Sequence, residues 1–464
     1  MAAERFDAIV IGSGQGGNPL AVAMAKHGWK TAMVERRLVG GTCVNFGCTP
    51  TKTLVASARV AYLARRAKDF GVEAGAVTVD MAAVRARKQQ VVEKSRSGNY
   101  KRLTETENLT LIEGEAAFTG PHEISIALND GGTRSLTAER IVIDTGVRAA
   151  LPHLDGLSKV PHLDNESIME LETVPEHLLV LGGGYIALEF AQMFRRFGSE
   201  VTIVQEGESL AEREDADISD EIAKILREDG IEVLLSAHAQ RVQTTGTGLQ
   251  LTVKTKDGVR ELAGSHLLVA TGRVPNTEAL HFERAGIEVD DKGFVQVDEW
   301  LETTVGGVYA IGDVNGGPEF THISYDDYRV LKANLLDGGY RTTKGRPLPY
   351  TLFLDPELGR IGMTEAQARK SGREIRVAKM PMTWVARGFE SAETRGFMKA
   401  VVDAGTDLIL GASILGVNGG EVATQIQIAM MGGLTASALR DGIWSHPTWA
   451  EALNNLFSNY EKEA

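Results

Sequence analysis

A strand that runs into a glycine loop, a helix and a second strand occurs twice in this chain, and no other feature limits the fold as tightly. Residues 8–11 form an apolar strand pattern that enters Gly12-x-Gly14-x-x-Gly17. An apolar helical pattern follows from Leu20 to about His27 and stops at Gly28; residues 30–34 form a second strand that ends at Glu35. In such a loop the first glycine makes the turn, the second lets the backbone approach a pyrophosphate, and the third lets the helix pack closely on the strand. The helix N-terminus offers N–H groups to phosphates, and Glu35 can accept hydrogen bonds from a ribose. The unit recurs from His177, with Gly182-x-Gly184-x-x-Ala187 in the loop, and Gly198 stands to Gly182 as Gly28 does to Gly12. Two such units mean two dinucleotides or one degenerate copy. Where the first copy has Glu35, the second has Gln205 with Glu206 beside it. An acid at this point favours a free 2′-hydroxyl and an arginine favours a 2′-phosphate. The second site therefore leans towards NADH over NADPH, with Arg213 the cation that could reverse this.

The 464 residues leave room for about three domains. With 49 Lys plus Arg against 62 Asp plus Glu, the net charge is −13. No long basic block offsets it, which argues against nucleic-acid or anionic-membrane binding. A membrane span needs about 18 apolar residues in a row. The longest candidate, residues 177–194, is broken by three glycines and Glu189. The opening MAAERFDAIVIGSG lacks a signal-peptide pattern, and only two cysteines occur. Both facts point to a reducing, cytoplasmic setting. Further strands are expected at 109–113, 140–144 and 266–270. From about Pro347 the fingerprint chemistry stops, and a strand at 397–403 with a helix at 422–431 reads as an α+β domain. Arg65, Arg66 and Lys68 read as the solvated end of a helix, where cations complement the dipole.

The two cysteines, Cys43 and Cys48, lie within GGTCVNFGCTPTK at 40–52. Residues five apart on a regular helix are about 8–9 Å apart, whereas a disulfide needs about 4.4–6.8 Å between Cα atoms. If the pair bonds, the segment is not regular helix, and Gly47 offers the turn. Thr49 before Pro50 is a helix-start signal, which sets Cys48 just ahead of a helix N-terminus that stabilises a thiolate. Two inert thiols or a two-ligand metal contact are the bland alternatives. Neither a C-x-x-C pair nor a His cluster completes a zinc site, so no metal centre is expected.

With the blocks GGGYIALEFA (182–191), ATGRVPNT (270–277), YAIGDV (309–314) and HPTWAEAL (446–453) added, the chain resembles the class I flavoprotein (pyridine nucleotide-disulfide) oxidoreductases, the group of dihydrolipoyl dehydrogenase, glutathione reductase and mercuric reductase. The resemblance implies an α/β fold with two Rossmann-like domains and a C-terminal α+β dimerisation domain. An FAD domain would cover 1–150 and 275–345, an NAD(P) domain 151–274, and the dimerisation domain 346–464. It implies FAD contacts from Gly12, Gly14, Gly17, Glu35, Thr42, Lys52, Thr145, Gly146, Asp313 and Thr321, with Asp313 on the ribityl chain. It implies nicotinamide-dinucleotide contacts from Gly182, Gly184, Ile186, Gln205, Glu206 and Gly272, and a Lys52–Glu189 pair near the flavin N5 edge. Cys48 would face the flavin and Cys43 would exchange with substrate. His446, oriented by Glu451 across a helix start at Pro447, would be the base serving the other subunit's cysteines, making a homodimer obligatory. Without the resemblance, His446-Pro447 reads as a cap and FTHISYDDYRV (320–330) as a buried amphipathic helix start.

The expected activity is hydride transfer from NAD(P)H through FAD to the Cys43–Cys48 disulfide and on to a small-molecule or protein-bound disulfide, or the reverse as in dihydrolipoyl dehydrogenase. No second cysteine pair is present to hand over mercury, and Gln205 and Glu206 stand where glutathione reductases carry arginines. FTHISYDDYRV and HPTWAEALNNLF also resemble the copper(II) reductases of the reactive-chlorine response. A metal-ion reductase (Cu²⁺ or Hg²⁺) is therefore one alternative, and a flavin-bound redox sensor with little turnover is another.

Overall fold

The computed structural model describes residues 3–246 and 248–462. The chain forms two compact units. The first holds the chain up to Leu54, Ala82–Ala150 and Gly272–Arg346; the second holds Val55–Met81, Leu151–Thr271 and the chain from Pro347 on.

In the first unit the strand Glu4–Ile11 pairs in parallel with Thr31–Glu35 on one side and Thr133–Ile143 on the other. Leu109–Gly120 and Val308–Ala310 extend the sheet in parallel. Beyond residue 113 the long strand Leu109–Gly120 turns antiparallel with Glu123–Leu128, which pairs in turn with Thr133–Ile143. Ala8, Ile9 and Val10 are wholly buried, because parallel strands are covered on both faces. One face packs on the helices Gly17–Lys26 and Thr321–Leu335 through Leu20, Met24, Val330 and Leu331. The other is filled by Phe6, Ile141, Phe118 and Phe282. The turn after the first strand needs glycine: Gly12 has φ +99°, and a Cβ there would meet the Asp144 carbonyl oxygen at 2.2 Å.

The second unit repeats the device. His177–Leu181 pairs in parallel with Glu200–Val204 and His266–Val269, and Glu232–Leu234 closes the edge. Gly182 has φ +109°, with the Ala270 carbonyl oxygen 2.4 Å from where its Cβ would be. The helix Tyr185–Phe197 starts without a side-chain cap. A three-stranded antiparallel sheet, His238–Thr245, Gly248–Thr255 and Gly258–Gly264, follows. The C-terminal part is a five-stranded antiparallel sheet in the order Tyr350–Leu352, Glu357–Gly362, Ile409–Gly416, Phe397–Asp403 and Ile375–Pro381. Helix Gly419–Met431 lies on it through Val422, Ala423 and Ile426. The architecture is thus two Rossmann-like elements and a C-terminal α+β element.

Arg65, Arg66 and Lys68 do not simply close a solvated helix. Helix Cys48–Arg65 ends there, but Arg66 donates to the Tyr62 hydroxyl at 2.9 Å and to the Ala392 carbonyl at 3.0 Å, and Arg65 donates to the Arg196 carbonyl. Tertiary acceptors have taken two of the three cations.

Candidate active site

Cys43 lies on the short helix Gly41–Asn45, and Cys48 is the first residue of helix Cys48–Arg65. Between them Phe46 has φ −138°, so the segment is not one regular helix. Cys48 is inside the helix rather than ahead of it. The Thr51 N–H and hydroxyl bond back to the Gly47 carbonyl at 3.0 and 2.7 Å, which draws the first turn two residues earlier than Thr49-Pro50 implies.

Both cysteines are thiols, Cys43 half-buried and Cys48 exposed. The Cys43 pKa is pushed far up, first by its hydrogen bond to Cys48 and then by burial; the Thr321 hydroxyl and the Lys52 charge pull the other way. Thr321, opening the helix Thr321–Leu335, sets its Oγ1 3.2 Å from Cys48 Sγ. One hydroxyl therefore serves both sulfurs. The resemblance sets both residues at the flavin but does not pair them, and 273 residues separate Cys48 from Thr321.

Around the first glycine loop, Gly41 approaches so closely that a Cβ on it would sit 2.8 Å from Gly14 Cα. Thr42 follows on the same short helix. Glu35 accepts from the Ser13 N–H and hydroxyl through one oxygen at 3.0 and 2.6 Å, and from the Arg37 N–H through the other at 2.8 Å. A carboxylate has about four lone-pair sites, so these bonds leave acceptor capacity for a ribose. The Gly17 N–H, at the start of the helix, donates to Asp144 Oδ2 at 2.7 Å. Asn276, within ATGRVPNT, ties down the Thr145-Gly146 turn: its side chain donates to the Thr145 carbonyl at 2.9 Å and its N–H to the Gly146 carbonyl at 2.9 Å. Gly272 accepts from the Ala150 N–H at 2.9 Å. The Thr145 hydroxyl is buried with no hydrogen-bond partner among the described residues. Asp313 pairs with Arg273 at 3.3 Å, and burial raises its pKa to about 6 against that cation. An unmet buried hydroxyl, glycine backbones at van der Waals distance and a second-strand carboxylate fit a dinucleotide.

At the second loop, Gly184 caps the helix Tyr185–Phe197 and Ile186 is exposed on its first turn. Gln205 donates to Glu212 at 2.9 Å and Glu206 pairs with His238 Nδ1 at 3.0 Å, so acids crowd the end of this strand. The Tyr185 hydroxyl donates to buried Glu214 at 2.6 Å, Tyr350 does so at 2.5 Å, and Arg360 Nε lies 3.3 Å from the other Glu214 oxygen. Burial, with the Glu214 charge next, raises both tyrosine pKa values. Buried Glu189 accepts from the Phe353 N–H at 2.9 Å.

His446 Nδ1 is 2.9 and 3.0 Å from the two Glu451 oxygens, and the imidazole is largely exposed. No helix begins at Pro447. The Glu451 N–H donates to Thr448 Oγ1, which donates to the Ser445 carbonyl, and this turn holds off the helix until Ala452–Leu456. Among the described residues, no group of three or more His, Cys, Asp or Glu side chains could hold a metal ion, and no helix is long and apolar enough to cross a membrane.

Residues 6–327 match the pyridine nucleotide-disulphide oxidoreductase family and residues 348–457 its dimerisation domain. The chain is 40% identical over 460 residues to the probable pyridine nucleotide-disulfide oxidoreductase RclA of Escherichia coli K12, covering 98% of this chain and 99% of that one. Solved structures of that HOCl-induced flavoprotein disulfide reductase include a Cu(II) complex, which matches with a TM-score of 0.89 over 99% of both chains. A mercuric reductase of Streptomyces lividans is 37% identical over 97% of this chain and 94% of its own length. A dihydrolipoyl dehydrogenase of Mycobacterium tuberculosis is 34% identical over 97% of each. The chain belongs to the pyridine nucleotide-disulphide oxidoreductase family, enzymes that use FAD and a nicotinamide dinucleotide to act on a sulfur group.

Proposed function

We propose that this enzyme reduces a small-molecule or protein-bound disulfide at Cys43 and Cys48, drawing on NADH. The observation that carries the reading is the hydrogen bond from Cys43 to Cys48, with the Thr321 hydroxyl on the same sulfurs. Bound FAD supplies the two-electron relay between nicotinamide and sulfur. Gly12, Gly14 and Gly17 would hold its diphosphate, Glu35 its ribose, Asp313 its ribityl chain, and Thr145 would find there the partner it lacks in the protein. Gln205, Glu206 and Glu212 favour a free 2′-hydroxyl over a 2′-phosphate, which supports NADH.

The Cys43 thiolate attacks one sulfur of the substrate disulfide, forms a mixed disulfide and expels the other sulfur as a thiolate. The Cys48 thiolate then attacks Cys43, closes the Cys43–Cys48 disulfide and releases the second substrate sulfur, so two electrons pass from the pair to the substrate. His446 takes up the Cys43 proton at Nε2 before the attack and passes it to the expelled thiolate, while Glu451 fixes the tautomer at Nδ1. In a homodimer this would be His446 of the partner subunit. The dimerisation domain supports that assembly, and so do Ile428, Met431, Leu434 and the fully exposed Ile443 on its surface. We place the domain divisions at 1–150 with 275–345, 151–274 and 346–464, and the presence of only two cysteines supports a cytoplasmic setting.

The test is NADH oxidation with lipoamide and a panel of other disulfides, on wild type and His446→Ala. Turnover that His446→Ala abolishes is expected. A second reading, Cu²⁺ reduction at the same thiols with one electron to each ion, is favoured by the likeness to RclA, which has been solved with Cu(II). No turnover with any disulfide, together with turnover of Cu²⁺, would replace the first reading by the second.

A further inference from the structure

One acidic side chain lies directly beneath the first glycine loop. Asp144 follows the strand Thr133–Ile143 and is buried. A Cβ placed on Gly14 or Gly17 would meet its Oδ2 at 2.7 Å, and one on Gly312 would meet its Oδ1 at 3.0 Å. The carboxyl is therefore held between the fingerprint loop and the turn Gly312–Asn315 that carries Asp313. Its Oδ2 accepts the Gly17 N–H at 2.7 Å, a donor that a phosphate at this helix N-terminus would otherwise draw on.

The largest charge effects on Asp144 come from acids: Asp313 on that turn, Asp327 on helix Thr321–Leu335, and Glu35 at the end of strand Thr31–Glu35. Two cations of this unit are paired with acids. Arg346 pairs with Asp327 at 2.5 Å, and Arg273 pairs with Asp313 and Glu319. Burial, foremost, and these acids push the Asp144 pKa well above the usual carboxylate range, with the Gly17 N–H opposing. A diphosphate over the loop would add two further negative charges to the same surroundings.

We propose that Asp144 sits under the bound diphosphate as a neutral acid, so that flavin binding takes up a proton at this carboxyl and ionisation of Asp144 expels the flavin. The inference rests on the family's use of FAD at the first loop. The sign follows from linkage: the bound state favours the protonated acid, so affinity is fully present at low pH. It falls by up to about tenfold per pH unit as pH rises from the pKa of the flavin-free protein towards that of the bound form.

The experiment follows flavin released from the purified holoenzyme by fluorescence as the pH is raised from about 6 to about 10. Wild type should release flavin at least about tenfold faster at the top of the range. Asp144→Asn, which keeps the shape and cannot ionise, should show no such rise. An Asn variant that retains the wild-type rise, or a wild type without one, overturns the inference. If Asp144→Asn does not fold, the wild type decides alone: a protonated-carboxyl infrared band of the holoenzyme that is lost over the same rise in pH as the flavin supports the inference, and its absence overturns it. A colourless protein that binds no added flavin contradicts the family reading itself, and the inference falls with it.

Discussion

Removing the Thr321 hydroxyl tests how the cysteine pair is activated. Its oxygen is 3.2 Å from Cys48 Sγ and also acts on Cys43, favouring the charged sulfur, while the hydrogen bond between the thiols and burial oppose ionisation of Cys43. A hydrogen bond to a charged group contributes about 1.5–3 kcal/mol, and the exposure of Cys48 calls for the low end, about 1.5 kcal/mol. That is about one pKa unit. In Thr321→Val the reactive thiol should therefore titrate about one unit higher, and its thiolate fraction at pH 7 should be about tenfold smaller. The assay is the pH profile of iodoacetamide alkylation of the NADH-reduced enzyme, read at each cysteine by mass spectrometry. Thr321→Ser, which keeps the hydroxyl, should restore the wild-type profile. A valine profile superimposable on wild type would refute the role given to this hydroxyl. A serine profile as displaced as that of valine would reduce it to packing.

His446→Ala should lower disulfide turnover by about 100-fold or more with flavin content unchanged, and Glu451→Gln should lower it less, in steady-state assays. NADH should exceed NADPH in kcat/KM by at least about tenfold, since a 2′-phosphate beside Glu206 and Glu212 meets like charge; Glu206→Arg should narrow the gap, and equal rates in wild type would contradict the reading. Arg360→Met leaves buried Glu214 with only its phenol donors and should cost about 3 kcal/mol, seen as a lower urea midpoint.

Local chemistry foretold the parts of the fold built from neighbouring residues. The first unit appears as read, with the helix running over Gly17–Lys26 and the second strand over Thr31–Glu35. The strand expected at 109–113 runs to Gly120, because past Glu113 it leaves the parallel sheet and pairs with Glu123–Leu128, a change of partner that no periodicity records. The helix that begins at Cys48 starts two residues before the expected Pro50, and the helix that begins at Ala452 starts five residues after the expected Pro447, since Thr51 extends one helix and Thr448 delays the other. What escaped the sequence altogether is long-range polar pairing. Asp144 with Gly17, Thr321 with Cys48, and Tyr185 and Tyr350 with Glu214 join residues 29 to 273 positions apart. Each is an ordinary polar residue until the fold supplies its partner.

The two cysteines are proposed to store the electrons between nicotinamide and substrate. Counting thiols in the denatured protein, before and after anaerobic NADH, tests this directly. The oxidised enzyme should show none, and NADH should raise the count to two per chain, the number of cysteines present. A count that NADH leaves unchanged while the flavin bleaches would contradict it.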